Sequence, residues 1–385
     1  MGNGVHVRPD LERLVGALGI AALVVAVAVR SSAAQSAASQ DWPPFVLVTG
    51  LLLVGLVAED DGIFAAAGRR LATTAQHGVL LYVATTVLIG TVTALLNLDT
   101  SVAFLTPVLV YTAKHRGGGE APLLYGCLLL SNAGSLFLPG SNLTNLIVLG
   151  HLHLSGAQFL SHMWAPALVA LGVTAVVVGA VEYRDVAVKV TATTFVASEQ
   201  PDVTIGLGML GVVVAAVLVL VLRSPALPVA IVGICTVAIG LATGKEQPRR
   251  VAEVLSAPLL FGLFGIAVAL GTLGRAWSGP VSLLSHAGTW GTAAAGVVGS
   301  VVVNNLPAAS LLAARTPGHP FALLVGLNIG PNLFVTGSLA WILWLKAARQ
   351  AGAQPSIGRA SRLGAMTVPL ALVAAVAALI ATGAG

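Results

Sequence analysis

The residues of this chain that could do chemistry are mostly neutral, and they sit where polar groups are costly. The stretch SNAGSLFLPGSNLTNL, residues 131–146, carries Ser131, Asn132, Ser135, Ser141, Asn142, Thr144 and Asn145 between two apolar runs. Gly134, Pro139 and Gly140 interrupt any helix there. A second such segment, LNIGPNLFVTGS at 327–338, supplies Asn328, Asn332, Thr336 and Ser338 around Gly330, Pro331 and Gly337. Two shorter interruptions bring Asn97, Asp99, Thr100 and Ser101, and then Asn304, Asn305 and Pro307. Amides and hydroxyls offer donors and acceptors to a solute or an ion. A broken helix adds oriented N–H groups on one half and C=O groups on the other. The expected substrate- or ion-binding set is therefore Asn97, Asp99, Thr100, Ser131, Asn132, Ser141, Asn142, Asn145, Asn304, Asn305, Asn328, Thr336 and Ser338.

Asp99 stands apart as the acid placed at depth, where a carboxylate costs about 2.5–3.5 kcal/mol on insertion scales. That cost marks it as a proton carrier or ion ligand; the plainer role is a cap on the N–H groups of Thr100 and Ser101. Polar side chains also glue transmembrane helices together and Pro/Gly kinks are ordinary there. Four polar breaks arranged as a mirrored pair favour a site over glue.

The elements that must position these residues follow from composition. Of 385 residues, 57% are hydrophobic and 9% charged, with mean hydropathy +0.94. Soluble domains carry about 25% charged residues, so the expected fold is an all-α polytopic membrane protein in the cell membrane, in contact with the bilayer throughout. No alternating β-barrel segments are present. The formal charge of +5 lies in short clusters between apolar runs and implies no nucleic-acid partner. Cys127 and Cys235 are isolated, so neither a disulfide framework nor a zinc site is expected, and no cofactor or resident metal is called for. Residues 14–29 could pass for a signal-peptide core, but everything downstream also spans, and a retained first helix is expected.

Spanning runs are read at 11–29, 43–58, 78–113 (broken near Asn97), 121–150, 163–182, 203–222, 225–243, 255–275, 282–315 (broken near Asn304), 319–346 (broken near Asn328) and 362–382. Arg69, Arg70, Lys114, His115 and Arg116 flank the 78–113 run and place both its ends in the cytoplasm, as a re-entrant hairpin. Arg184, Lys189, Lys245, Arg249, Arg250, Lys346, Arg349, Arg359 and Arg362 fall on the same side, and loops 30–42 and 150–162 outside. The N-terminus is then cytoplasmic and the C-terminus outside. On this topology 282–315 mirrors the first hairpin, and each hairpin precedes a broken helix. NLDTSVAFLTP at 97–107 matches VNNLPAASLLA at 303–313, and 131–142 matches 327–338, setting Asn132 against Asn328 and Gly134 against Gly330. The chain is thus one transmembrane domain, with a first repeat at 43–182, a cytoplasmic linker at 183–202 and an inverted second repeat at 225–382, a plan common among secondary transporters.

Other patterns carry less. GLGMLG at 206–211 spells a dinucleotide fingerprint inside a spanning helix with no strand before it, and reads as close helix packing. His151, His153 and His162 lack a fourth ligand and read as a solvated loop; His286, near the second hairpin, could titrate. Cys127 reads as a buried apolar thiol, and 62–76 as an amphipathic helix on the cytoplasmic interface. No cluster of acids or His with a nucleophile lies at depth, which argues against an enzyme, and mirrored hairpins argue for alternating access over a continuous pore.

DGIFAAAGRRLA, NLDTSVAFLTPVLV, SNAGSLFLPGSNLTNLIVLG and NIGPNLFVTGSLAWILWL resemble the ion transporter superfamily over roughly residues 45–382, and most of all its arsenical pump (ArsB-type arsenite/antimonite permease) branch. The resemblance implies efflux of a small inorganic substrate, arsenite or antimonite, driven by proton entry, sometimes with a soluble ATPase subunit, and a homodimer. The superfamily's sodium/proton antiporters and sodium-coupled dicarboxylate transporters give the alternative, with sodium as coupling ion. The symporters carry Ser-Asn-Thr at both hairpin tips; here the tips read Leu98-Asp99-Thr100 and Asn304-Asn305-Leu306, which suits a proton- or cation-coupled carrier better than a dicarboxylate one. The pump's usual Thr-Pro before Gly-Ser is Val335-Thr336 in this chain.

Overall fold

A single non-helical residue, Arg30, divides the longest helix of the protein. The computed structural model describes residues 9–74, 77–115, 119–150, 152, 154–187 and 206–385. Helix α1 runs Pro9–Asp60, and at Arg30 its backbone leaves the helical region (φ −147°, ψ 69°). Residues 30–42, expected as a loop, are helical on the far side of that kink. RSSAAQSAASQD is rich in Ala, the strongest helix former, so the segment continues as helix where its Ser content reads as linker. Both ends of α1 return to the same place: Ser256 Oγ donates to Glu12 at 2.7 Å, and Arg250 pairs with Glu59 at 2.6 Å and with Asp60.

The first broken region comprises α2 (Ile63–Thr74), the expected amphipathic helix, then α3 (Gly78–Leu95), α4 (Leu98–His115), α5 (Ala121–Gly134) and the short α6 (Leu143–Leu149). Helices α7 (Gly156–Val181) and α8 (Tyr183–Val186) close this half. The scaffold continues with α9 (Leu207–Val221), α10 (Ala226–Ala242), the short α11 (Pro248–Leu255) and α12 (Ala257–Ala276). The second broken region follows as α13 (Gly279–His286), α14 (Gly288–Val303), α15 (Asn305–Leu312), α16 (Pro320–Ile329) and α17 (Leu339–Gln350), before the final α18 (Ile357–Ala381). The fourth break lies after Asn328, across 330–338, where Pro331 and Gly337 stop the helix. Most of the 183–202 linker, Arg116, Lys189, His151 and His153 lie outside the described residues.

Five of the described helices are long and apolar enough to cross a bilayer. Their side chains are distributed as in a membrane protein: Val176, Phe261 and Val302 are exposed, whereas Asn132, Asn145, Asn328 and Asn332 are buried. Small residues let the scaffold helices touch. A methyl added at Gly19 of α1 would strike the Gly262 carbonyl of α12, and one at Gly265 the Gly19 carbonyl. In GLGMLG, Gly208 lies against the Ala58 backbone and Gly211 against Val54 and Thr236, the close packing expected of it. The two largest apolar cores each join both halves of the sequence: Trp341 and Trp344 pack with α4 and α5 residues, and Ile147 with α15 and α16 residues.

Candidate functional site

Four helices start at one small cavity. Asn97 caps α4, its Oδ1 accepting from Thr100 N at 2.6 Å; Asn142 caps α6, accepting from Thr144 N at 3.2 Å. Asn304 caps α15, accepting from Leu306 N at 3.3 Å, and it adopts φ +79°, ψ 149°, a strained backbone conformation that is otherwise left almost entirely to glycine. Ser338 stands at the N-cap of α17 without a side-chain bond. The cavity, about 20 Å³, is lined by Leu98, Asp99, Asn142, Leu143, Leu263, Asn304, Asn305, Leu306, Ser338 and Leu339. That is room for about one water molecule.

Its electrostatics are set by backbone and by one acid. Helix N-termini present unpaired N–H groups and a partial positive charge. Against them stands the Asp99 carboxylate, which has no ion-pair or hydrogen-bonding partner among the described residues, and no Lys, Arg or His lines the space. Ser338 Oγ in the lining, and Asn97 Nδ2 and Thr100 Oγ1 at the start of α4, are buried with no hydrogen-bond partner among the described residues. Buried polar groups in native structures are nearly always paired, so these atoms are available to an occupant.

The other expected site residues are brought near but committed elsewhere. Asn328 is saturated: its Oδ1 accepts from Ser135 Oγ at 2.5 Å and Asn142 Nδ2 at 2.7 Å, and its Nδ2 donates to Asn145 Oδ1 and the Leu324 carbonyl, both at 2.8 Å. Asn145 donates in turn to the carbonyls of Ser135 and Leu138. This knot joins the two broken helices behind the cavity. Ser141 donates to the Ala94 carbonyl, Ser131 shares a bond with Ser101 at 3.2 Å, and Asn132 donates to the Leu128 carbonyl while its Oδ1 is buried with no partner among the described residues, away from the cavity lining. Thr336 is exposed, and its hydroxyl donates to the Val301 carbonyl. Cys127 is buried beside Thr106 at 3.4 Å, His286 is exposed and His162 half-buried against Phe321, each near a carbonyl of its own helix, and all three lie outside the cavity lining.

Sequence reasoning passed over the apolar half of the lining. The caps of α4, α6 and α17 are each followed by Leu, as Asn97-Leu98, Asn142-Leu143 and Ser338-Leu339, and the Asn304 cap of α15 by Asn305-Leu306; these leucines close the cavity together with Leu263 of the scaffold. The recurring polar–Leu step was the available signal. Asp41 was missed as well; placed in an external loop by sequence, it is 1% exposed.

Comparison with known proteins agrees with this architecture. The profile of a family described as "Citrate transporter" matches residues 6–345. The chain is 25% identical over 363 residues to the arsenical pump membrane protein of Yersinia enterocolitica, covering 86% of this chain and 85% of that one. It is 29% identical over 163 residues to the silicon efflux transporter LSI3 of Oryza sativa subsp. japonica, covering 42% of this chain and 33% of that one. Among solved structures, the YdaH transporter of Alcanivorax borkumensis matches with a TM-score of 0.54 at 15% identity, over 98% of this chain and 90% of that one, a likeness of fold. Membrane-protein composition, a fold shared with a transporter and a family match across most of the sequence converge: the chain belongs to the citrate transporter (CitMHS) family of membrane transporters.

Proposed function

We propose that this protein is a secondary active transporter that exports trivalent arsenic or antimony in exchange for protons, by alternating access, with its site between the starts of α4, α6, α15 and α17. The observation that carries the reading is the lining: the N-terminal ends of α4, α6 and α17, one carboxylate without a partner among the described residues, and no basic side chain; at α15 the Asn305 and Leu306 N–H groups are already taken by the Gly337 carbonyl and Asn304. Arsenous acid is a small, neutral trihydroxide at physiological pH. Its oxygens can accept from backbone N–H groups and hydroxyls, and its O–H groups can donate to Asp99. Asp99 then serves both cargo and coupling proton, so the two compete for one carboxyl, the simplest arrangement for exchange. An arsenical pump and a silicon efflux protein among the relatives support a small hydroxide cargo. The two matched breaks, 134–142 and 330–338, support an inverted repeat, and the basic residues Arg69, Arg70, Lys114, Lys245, Arg249 and Arg250 support an N-terminus in the cytoplasm.

A second reading, sodium-coupled movement of a carboxylate anion, draws on the same helix N-termini, which favour negative charge. The cavity of about 20 Å³ must open even for arsenous acid, and a carboxylate anion such as citrate asks it to open far more widely still. The test is arsenite accumulation in everted vesicles energised by a proton gradient, with wild type beside Asp99→Asn. Gradient-driven uptake by wild type, lost in the variant, is the expected result. No arsenite movement by well-folded wild type overturns the cargo assignment, and citrate or sodium/proton exchange is then assayed in the same vesicles.

A further inference from the structure

The end of the molecule opposite α11 holds a buried acid that the cavity does not use. Asp41, on α1 just before Pro43 and Pro44, is buried, and its Oδ2 has no hydrogen-bond partner. The groups facing it come from three elements: Gln40 beside it on α1, Arg275 in the last turn of α12, and Ser310 on α15, whose hydroxyl acts on the carboxyl while donating to the Leu306 carbonyl at 3.4 Å. Arg275 acts on Asp41 through its charge but directs its guanidinium elsewhere, to Gln40 Oε1 and the Gly271 carbonyl, while its own carbonyl accepts from Arg315 at 3.2 Å. Gln40 Nε2 then donates to the carbonyls of Ile147 at 2.9 Å and Ala313 at 3.0 Å. These carbonyls lie at the far ends of α6 and α15, the two short helices that begin at the cavity. One amide of the scaffold thus holds both, at a distance of about 12 Å along α15 from the cavity.

We propose that Gln40, Asp41 and Arg275 form a proton-operated clamp on α6 and α15, with Asp41 a positioning residue for the transport cycle. With Asp41 protonated, the guanidinium stays on Gln40 and the amide grips both helix ends, the arrangement in this structure. When the carboxyl releases its proton to water, the carboxylate draws Arg275 away from Gln40. The amide loses the contact that orients it, and the ends of α6 and α15 are freed. The two states differ in one proton and one guanidinium contact, which gives the element a discrete alternative. The clamp deepens the transport reading above by naming how a proton reaches the helices that carry the site.

Hydrogen–deuterium exchange of segments 143–149 and 305–313 in purified protein, followed across pH, tests the clamp without reference to any cargo. In wild type, exchange of both segments should rise with pH after correction for the intrinsic rate. Asp41→Asn should stay protected at all pH values. Gln40→Leu should exchange about tenfold faster throughout in each segment, as expected when each loses one hydrogen bond from the amide. Ser310→Ala, a mild change, should shift the pH midpoint while leaving the limits in place. A pH-independent wild type, or an Asp41→Asn protein that keeps the wild-type profile, overturns the clamp whatever the vesicles transport. Failure of arsenite uptake with the exchange pattern intact overturns the cargo alone.

Discussion

Asn328 and Ser338 show how similar polar residues come to different uses. Every hydrogen-bonding position of the Asn328 amide is occupied, and its loss would leave Asn145 Oδ1 and Asn142 Nδ2 without their partner. Stranded buried groups each cost about 1–3 kcal/mol, so Asn328→Ala should lower stability by about 2 kcal/mol or more, read as a fall in the thermal midpoint in detergent. Ser338 Oγ, by contrast, is buried with no partner, so Ser338→Ala should leave that midpoint within about 0.5 kcal/mol of wild type while reducing transport. An Asn328→Ala protein as stable as wild type would remove the reason to regard the knot as structural. Sequence could place both residues in polar breaks. It could not say which was saturated, because saturation of Asn328 depends on residues nearly two hundred positions away. The surviving signal is local: a cap followed by Leu at three of the four helix starts that meet the cavity, and by Asn305-Leu306 at the fourth.

At the scale of elements, the seam between α1 and α12 rests on Gly16, Gly19, Gly262 and Gly265, two pairs at helical spacing that bring backbones into contact. Gly265→Val should fail to hold α1 against α12, because the first added carbon already meets the Gly19 carbonyl. The expected outcome is loss of the monodisperse folded peak in detergent, whereas Gly172→Ala on α7, with open space around it, should behave as wild type. A normal elution profile for Gly265→Val would show that the seam can separate. The helical breaks were legible because Pro, Gly and Asn mark them directly: the interruptions near Asn97, Asn304 and Pro139 appear where the composition puts them. The continuation of α1 through residues 30–42 was not, since Ala and Ser serve helix and linker alike and only packing decides. Nor was α11 legible as a separate helix, its eight residues being short and charged enough to pass for a basic loop.

For the whole molecule, the junction beneath α11 connects both ends of α1 to the scaffold, and it makes folding sensitive to pH. Glu246, between α10 and α11, is buried with Oε2 unpartnered, and its carboxyl is pushed up to about 7 from an ordinary 4.5. Desolvation is the main cause; the hydrogen bond and charge of Asp60 add to it, Arg250 opposes it and Asp61 raises it further. The folded protein therefore keeps a proton on Glu246 over a range in which the unfolded chain has lost it. By linkage, this group's contribution is fully present below about pH 4.5 and is lost as pH rises through 7. Glu246→Gln, which mimics the protonated form, should remove that dependence, so that the thermal midpoints of variant and wild type agree near pH 5 and separate above pH 7 with the variant higher. A wild type that gains stability over that interval relative to the variant would mean that Glu246 is ionised in the folded state and that Arg250, already shared with Glu59 and Asp60, also holds it. The expected result would instead place a neutral carboxyl at the joint from which both arms of the longest helix depart.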